Sequence, residues 1–484
     1  MSYILILQII YVLITILVVL RVIYDTRNFS KTLAYILLVV FVPIFGIFFY
    51  FSFGVNYRKR KIYSKKIIQD VALLRQVEQK LSQYHKGVLQ SDLVAPQHTN
   101  LINFLAKAGQ STLTANNQVE LLANGEHKFP VLLEALEKAE HHIHIQYYIY
   151  EDDFTGQQVA AVLKRKAQEG VEVRFMYDDF GSHSLGKAFK HGLEEAGVQI
   201  APFYEIIWYA FTNRINYRNH RKIVIIDGET CFVGGINVSD RYRNDEHAKD
   251  GLFWRDTHLK IQGSASFFYQ YSFISDWNFC SGKPINNHQS YFPSPQLDVT
   301  YQEDIVQMAS SGPDSDIPII YFALIEAISA AQKCIYITSP YFIPGDSMMD
   351  ALIIAAQKGI EVKILVPGKS DSKMVNLAAR SYYTDLLKFG VEIYLYQKGF
   401  VHAKTLCIDN DLAIVGSANM DYRSFDLNFE TNAMVYSRRL NIELKALFYE
   451  DIENANLIHA KEWLERSKFT HLIEKCFRLL SPFL

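Results

Sequence analysis

Two hydrophobic patterns divide the chain. At the N-terminus, Tyr3 to Leu20 is apolar except for Gln8 and Thr15, and a second apolar run extends from about Leu33 to Val55. A helix needs about 20 apolar residues to cross a bilayer, so both runs qualify, the first only just. The link between them carries Arg21, Asp25, Arg27 and Lys31. A cleaved signal peptide would want a basic start and a small-residue cleavage site. Met1-Ser2-Tyr3 has no basic residue, and no such site follows. A buried core helix would be shorter and amphipathic. The expectation is a two-span hairpin over residues 1–56, with spans at about 3–20 and 33–55.

Beyond residue 118 the pattern changes, and it then repeats. Ala167-Gln168-Glu169-Gly170-Val171-Glu172-Val173 is echoed by Ala356-Gln357-Lys358-Gly359-Ile360-Glu361-Val362. Ahead of each lie a helical pattern and a strand pattern: Pro130 to Glu140 then His142 to Tyr150, and Ile319 to Gln332 then Ile335 to Thr338. Behind them, Ala196-Gly197-Val198-Gln199-Ile200 matches Phe389-Gly390-Val391-Glu392-Ile393. A repeat of about 190 residues is a duplicated domain rather than a solenoid. Strands alternating with helices of ten or more residues point to α/β layering with a mostly parallel sheet. The division expected is 57–117 as a basic, helix-prone linker, then domains at 118–295 and 296–484. The first copy has an aromatic insertion, Trp208 to Arg218, read as a surface loop near the site or the membrane.

Each copy carries the same motif. The first reads Asn219-His220-Arg221-Lys222, an apolar run to Asp227, then Gly234-Gly235-Ile236-Asn237. The second reads Val401-His402-Ala403-Lys404, an apolar run to Asp409, then Gly416-Ser417-Ala418-Asn419. In an extended strand, residues two apart share a face, so each His points with its Lys. Asp227-Gly228 and Asp409-Asn410 look like hairpin turns at the far ends of those strands. The candidate catalytic set is His220, Lys222, Asp227, His402, Lys404 and Asp409, the two aspartates being structural pairing partners more than chemical actors. A lone His is more often a surface or core residue than a catalyst, but two matched copies are hard to obtain from packing alone.

The residue types suggest phosphodiester chemistry. Imidazole titrates near neutrality, so one His attacks phosphorus while its twin protonates the leaving alkoxide. Two lysines place positive charge around the phosphate oxygens. A carboxylate should hold each ring nitrogen that faces away from phosphorus. Asp256 and Glu430, at duplicated positions, are the candidates, against the plainer reading of surface ion pairs. Asn237, Ser417 and Asn419 are candidate phosphate ligands beside small residues that admit an anion. No metal-ligand cluster accompanies the motif; the lysines stand in for divalent cations, and neither metal nor cofactor is expected.

Composition narrows the partners. The formal net charge is −2, which gives no push toward nucleic acid. Aromatics reach 14%, a surplus that suits a protein meeting a bilayer. Five cysteines lie scattered, with no C-x-x-C pair, arguing against a disulfide framework or a zinc site. Arg58-Lys59-Arg60-Lys61 and Lys65-Lys66 follow the second apolar run. The positive-inside rule then puts the catalytic part in the cytoplasm, at the inner (plasma) membrane. The cluster either holds anionic headgroups or is a solvated linker. Phe469 to Leu484 reads equally as a surface-lying or a core-packing helix.

These motifs resemble the phospholipase D superfamily with its paired His-Lys-Asp signatures. Ser339-Pro340-Tyr341-Phe342-Ile343-Pro344 and Gly416-Ser417-Ala418-Asn419-Met420-Asp421-Tyr422-Arg423-Ser424-Phe425 are similar to the bacterial cardiolipin synthase family, as are the paired N-terminal spans and Leu480-Ser481-Pro482. The resemblance covers essentially the whole chain. It implies two pseudo-symmetric α/β domains around one shared active site, with phosphatidylglycerol as both donor and acceptor on an anionic bilayer. It further implies His220 as nucleophile and His402 as general acid and then base, with Lys222, Lys404, Asn237 and Asn419 at phosphate oxygens. Arg241 stands where relatives would carry an acidic residue. The motif alone leaves open a hydrolytic phospholipase D, or a transferase using another alcohol.

Overall fold

The computed structural model describes residues 3–26, 29–51, 73–79, 81, 94–204, 217–248, 251–285, 289–293 and 304–481. The basic cluster at 58–66 and the insertion at 208–216 lie outside them; Tyr217 and Arg218, which close that insertion, are buried.

The first apolar run forms one helix, Tyr3–Asp25, long and apolar enough to span a bilayer. The second differs from the single span expected. It forms two helices, Phe29–Phe41 and Pro43–Phe49, broken at Val42, whose φ of −133° and ψ of 63° leave the helical region. A residue before proline is driven out of the helical region by the proline ring, which accounts for the break. Gly46 then lies so close to the Leu38 carbonyl that no side chain would fit. Val18 and Val22 pack with Tyr35, Val39 and Tyr50, while the Tyr50 hydroxyl donates to Asp25 at 3.2 Å.

The first repeat contributes β1 (Thr114–Ala123), β2 (His142–Tyr147), β3 (Glu172–Asp178), β4 (Gln199–Phe203), β5 (Ile223–Ile226), β6 (Thr230–Gly234), β7 (Phe253–Arg255) and β8 (Thr257–Gly263). The second contributes β9 (Asp304–Ser311), β10 (Cys334–Thr338), β11 (Glu361–Pro367), β12 (Glu392–Tyr396), β13 (Gly399–Val401), β14 (Thr405–Ile408), β15 (Leu412–Gly416), β16 (Glu430–Tyr436) and β17 (Ala455–Leu457). Reading outward from the central β1–β9 pair, the order is β1-β8-β6-β5-β2-β3-β4 on one side and β9-β16-β15-β14-β10-β11-β12-β17 on the other. The two sides mirror each other strand for strand until β17.

The mostly parallel sheet expected from the alternating pattern is not what forms. Within this sheet only β2-β3-β4 and β10-β11-β12 run parallel, where a helix bridges successive strands. The motif strands are joined by tight hairpins, which force antiparallel pairing.

Strand alternation builds three cores. Val224 and Ile226 face outward onto the helices Asn124–Glu137 and Phe154–Gln168, while Ile223 and Ile225 face a central core. On the other side, Leu406 and Ile408 join the outer core, and Cys407 the central one. The central core draws on strands of both repeats and on the helices Ser266–Cys280 and Arg438–Glu453. The helix Lys468–Arg478 is divided: Phe477 packs on the second outer core, whereas Phe469 and Leu472, and Leu479 just past its end, are exposed.

The first motif hairpin turns through Asp227 (φ 54°) and Gly228 (φ 73°), with the Glu229 N–H donating to the Ile226 carbonyl at 3.1 Å. Two positive φ values match the twist of the flanking strands. A Cβ at Gly228 would also strike the Tyr291 carbonyl. Gly228→Ala should therefore lower unfolding stability by about 1–3 kcal/mol, read as a lower thermal midpoint in detergent; an unchanged midpoint would contradict this account of the turn.

Candidate active site

Each His-Lys pair sits just before a central hairpin, and each is gripped by the opposite repeat. The His220 N–H donates to the Phe429 carbonyl at 2.9 Å, and the Phe429 N–H to the Arg218 carbonyl at 2.8 Å. In the other half, β13 pairs in parallel with β7, and the His402 N–H donates to the Arg255 carbonyl at 2.7 Å. These crossings bring each ring to a carboxylate of the other repeat. His220 Nδ1 lies 2.9 Å from Glu430 Oε1 and 3.0 Å from Oε2. His402 Nδ1 lies 2.7 Å from Asp256 Oδ2. With Nδ1–H donated to the carboxylate, Nε2 keeps its lone pair on the far side of the ring.

Buried neighbours fix the carboxylates. Gly235 presses against Asp256 so tightly that a Cβ there would clash with it. At the equivalent position, Ser417 donates its hydroxyl proton to Glu430. Asn428 Nδ2 donates to Glu430 at 3.2 Å, and the Thr257 N–H to Asp256 at 2.7 Å. Behind them, Arg221 pairs with Asp276 at 2.6 Å and Arg255 with Asp451 at 2.9 Å. Asp276 and Asp451 belong to the two helices of the central core, so the same layer that joins the repeats also braces the site.

Lys222 Nζ donates to the His220 carbonyl at 2.6 Å, and Lys404 to the His402 carbonyl. Lys404 Nζ also lies 2.8 Å from His402 Nδ1 and 4.0 Å from Asp256. Lys404 is close enough to Lys222 to oppose its protonation. Burial is the largest influence on every one of these groups. It drives Lys222 down to about 7 and Lys404 to about 8, against the pull of Glu430 and Asp256. It lowers His402 to about 4, with Lys404 acting in the same direction, and lowers His220 against the pull of Glu430. Burial also pushes Asp256 and Glu430 upward, but the adjoining Lys404 and His402, and His220 and Lys222, outweigh it and hold both carboxylates below their ordinary range.

The motif aspartates lie elsewhere. Asp227 accepts the N–H groups of Glu140, His141 and His142 at 2.8–2.9 Å, stapling the hairpin to the start of β2. Asp409 does the same for Gln332, Lys333 and Cys334 at the start of β10. Each stands at the far end of its strand from the His, about 20 Å of extended chain away. Asn237 accepts the Ile149 N–H at 3.1 Å and donates to the Tyr242 hydroxyl at 2.7 Å. Asn419 Oδ1 is buried with no hydrogen-bond partner among the described residues. Among the described residues, no group of three or more His, Cys, Asp or Glu could hold a metal ion.

Residues without a motif signal complete the site. The Tyr148 ring meets His220 at a centroid distance of 4.8 Å and lies 5.5 Å from Lys222 Nζ. Trp254, Phe400 and Tyr242 surround His402 at 5.6–5.8 Å. Fully buried Lys128 donates to the Ile236 carbonyl at 2.8 Å and lies within electrostatic reach of Asp256. Isolated aromatics and a lone lysine look like ordinary core residues in a sequence; only the duplicated positions mark a site there.

Two α/β repeats meeting on paired His-Lys motifs define a duplicated protein of the phospholipase D class. The family model described as "Cardiolipin synthase, PLD-like domain" matches residues 132–258 and 324–452, and a phospholipase D-nuclease N-terminal model matches 13–54. Cardiolipin synthase of Alkalihalophilus pseudofirmus is 40% identical over 480 residues, covering 99% of this chain and 94% of its own. Cardiolipin synthase 2 of Bacillus anthracis is 39% identical over 466 residues, covering 95% and 88%. The crystal structure of phosphatidylserine synthase from Haemophilus influenzae shares the fold at a TM-score of 0.59 and 15% identity, over 80% of this chain and all of its own. The chain belongs to the cardiolipin synthase family.

The lowered histidines set a pH dependence of stability. Free imidazole titrates near 6.5, so between about 6.5 and about 4 the unfolded chain binds a proton that folded His402 does not. Stability falls on acidification through that window. His220, His142, His144 and His258 are lowered too and add to the fall. The thermal midpoint of His402→Ala should therefore drop less than that of wild type between pH 6.5 and 4; an equal drop would contradict the assignment.

Proposed function

We propose that the protein transfers a phosphatidyl group from one phosphatidylglycerol to another, giving cardiolipin and glycerol, through a covalent phosphohistidine. The observation that carries this reading is the paired arrangement of His220 with Glu430 and His402 with Asp256, both beside buried lysines, in a chain of the cardiolipin synthase family.

In the proposed first step, His220 Nε2 attacks phosphorus and a P–N bond forms as the P–O bond to the leaving glycerol breaks. His402 gives that alkoxide its proton. In the second step, the hydroxyl of the acceptor's glycerol passes its proton to His402 and attacks phosphorus, and the P–N bond breaks. Lys222 and Lys404 balance the charge on the phosphate oxygens in both steps. Burial keeps both histidines neutral in the empty site. An anionic phosphodiester beside them works in the opposite direction and favours the imidazolium that the first step needs. Phosphodiester exchange is nearly thermoneutral, so shielding the intermediate from water decides whether transfer or hydrolysis wins.

The reading extends to the membrane. The helix Tyr3–Asp25 is suited to span the bilayer, and the bent second segment is proposed to return through it. The basic residues 58–66 would then sit on the cytoplasmic face, with catalytic domains at 118–295 and 296–484. Holding enzyme and both lipids on one surface raises their effective concentration.

Purified protein given phosphatidylglycerol alone should release glycerol and accumulate cardiolipin; phosphatidic acid without cardiolipin would refute the transferase reading. His220→Ala and His402→Ala should each reduce turnover by about 1000-fold or more, and near-normal turnover in either variant would exclude a two-histidine mechanism. EDTA should leave the rate unchanged, whereas strong inhibition reversed by a divalent cation would mean that the lysines do not suffice.

A further inference from the structure

Two residues before His220 lies a side chain that the reaction above does not use. Arg218 is 2% exposed, yet among the described residues its Nε and both terminal nitrogens have no hydrogen-bond partner. Burying an unpaired guanidinium is costly, and such a group is retained where something else pairs with it. Its Cζ lies over the Phe180 ring, 4.3 Å from the ring centre. Phe180, Gly181, His183, Tyr148 and Ile149 line an open cavity of about 430 Å³. Tyr148 forms a wall of this cavity and also contacts His220.

Two carboxylates, Asp178 and Asp179, lie within electrostatic reach of Arg218, and the first is already engaged. Asp178 accepts the N–H groups of Asn219, Phe180 and Gly181 at 2.9–3.1 Å. It lies within electrostatic reach of Arg218 but forms no ion pair with it. A second cation, Arg423, contributes from the other repeat. It is half-buried, makes no side-chain hydrogen bond or ion pair among the described residues, and is near enough to repel Arg218 and to influence Tyr148. A buried guanidinium without a hydrogen-bond partner, with a second guanidinium in electrostatic reach, is relieved by an anion.

We propose that Arg218 and Arg423 form a second anion subsite, distinct from the Lys222–Lys404 site, that holds the phosphodiester of the acceptor lipid. This rests on the transferase reading. That reaction requires two anionic lipids at once, and the paired lysines neutralise the donor alone. The acceptor's own phosphate stands one glycerol headgroup away from the hydroxyl that attacks. Arg218 meets the cavity through the Phe180 ring, and the cavity stands one tyrosine ring away from His220, so an acceptor held on that side presents its hydroxyl toward the phosphohistidine.

The test separates acceptors with and without a phosphate. Wild type, Arg218→Gln and Arg423→Gln are assayed for cardiolipin formation from phosphatidylglycerol, and for exchange of labelled free glycerol into phosphatidylglycerol. Both assays share the first step, but glycerol carries no anion. Cardiolipin formation should fall about 10-fold or more, the loss expected for one charged hydrogen-bond partner, while exchange changes by less than about 2-fold. An equal fall in both, or no fall in cardiolipin formation, overturns the subsite. If Arg218→Gln does not fold, half-buried Arg423→Gln decides by the same two readouts. A wild type that exchanges glycerol but forms no cardiolipin refutes the transferase reading instead, independently of either arginine.

Discussion

The structure depends on a reciprocal exchange between its two repeats. Neither repeat completes the surroundings of its own histidine. His220 takes its main-chain acceptor and its ring partner from Phe429 and Glu430, and His402 takes them from Arg255 and Asp256. An imidazole without a fixed partner at Nδ1 is free to rotate and to change tautomer. The paired grip removes both freedoms, and it exists only when the repeats are assembled. The central core explains why they assemble. It is built from apolar residues of both repeats, among them Ile225, Cys231, Val415 and Val435, so its burial and the site's completion are one event.

This arrangement places two lysines, two histidines and two carboxylates where water is scarce. The lysines are held near 7 and 8 because burial outweighs their carboxylate partners. Such a cluster destabilises the empty protein relative to an apolar core. In the proposed reaction, these charges are already oriented around the phosphodiester, so little reorganisation accompanies the chemistry.

Much of this was legible in local signals, and the rest was not for definite physical reasons. Motif spacing is local, and so the His-Lys strands, their hairpins and the duplicated positions of Asp256 and Glu430 stand out in sequence. Which histidine each carboxylate serves depends on contacts spanning 210 and 146 residues, and no periodicity encodes that. Helix–strand alternation suggested a mostly parallel sheet because it reports the crossovers at β2-β3-β4 and β10-β11-β12 but not the hairpins between them. The second apolar run read as one span because hydropathy is blind to the bend imposed by Val42-Pro43. Ser417 looked like a phosphate ligand, yet its hydroxyl is directed to Glu430. Arg218 sat within an aromatic insertion and read as surface, whereas it is buried beside the His220 strand.

The most direct test of the reciprocal pairing is a burst measurement with a phosphatidyl ester whose leaving group, p-nitrophenolate, needs no protonation. In the proposed mechanism, assisting departure of the leaving group falls to His402, whose ring is held by Asp256. Attack on phosphorus falls in the same mechanism to His220, whose ring is held by Glu430. Asp256→Asn should therefore behave like His402→Ala, slow with phosphatidylglycerol but with its first-turnover burst restored on the nitrophenyl ester. Glu430→Gln should behave like His220→Ala and show no restored burst. The opposite pattern, or equal restoration in both carboxylate variants, would contradict the assignment of each carboxylate to the histidine of the other repeat.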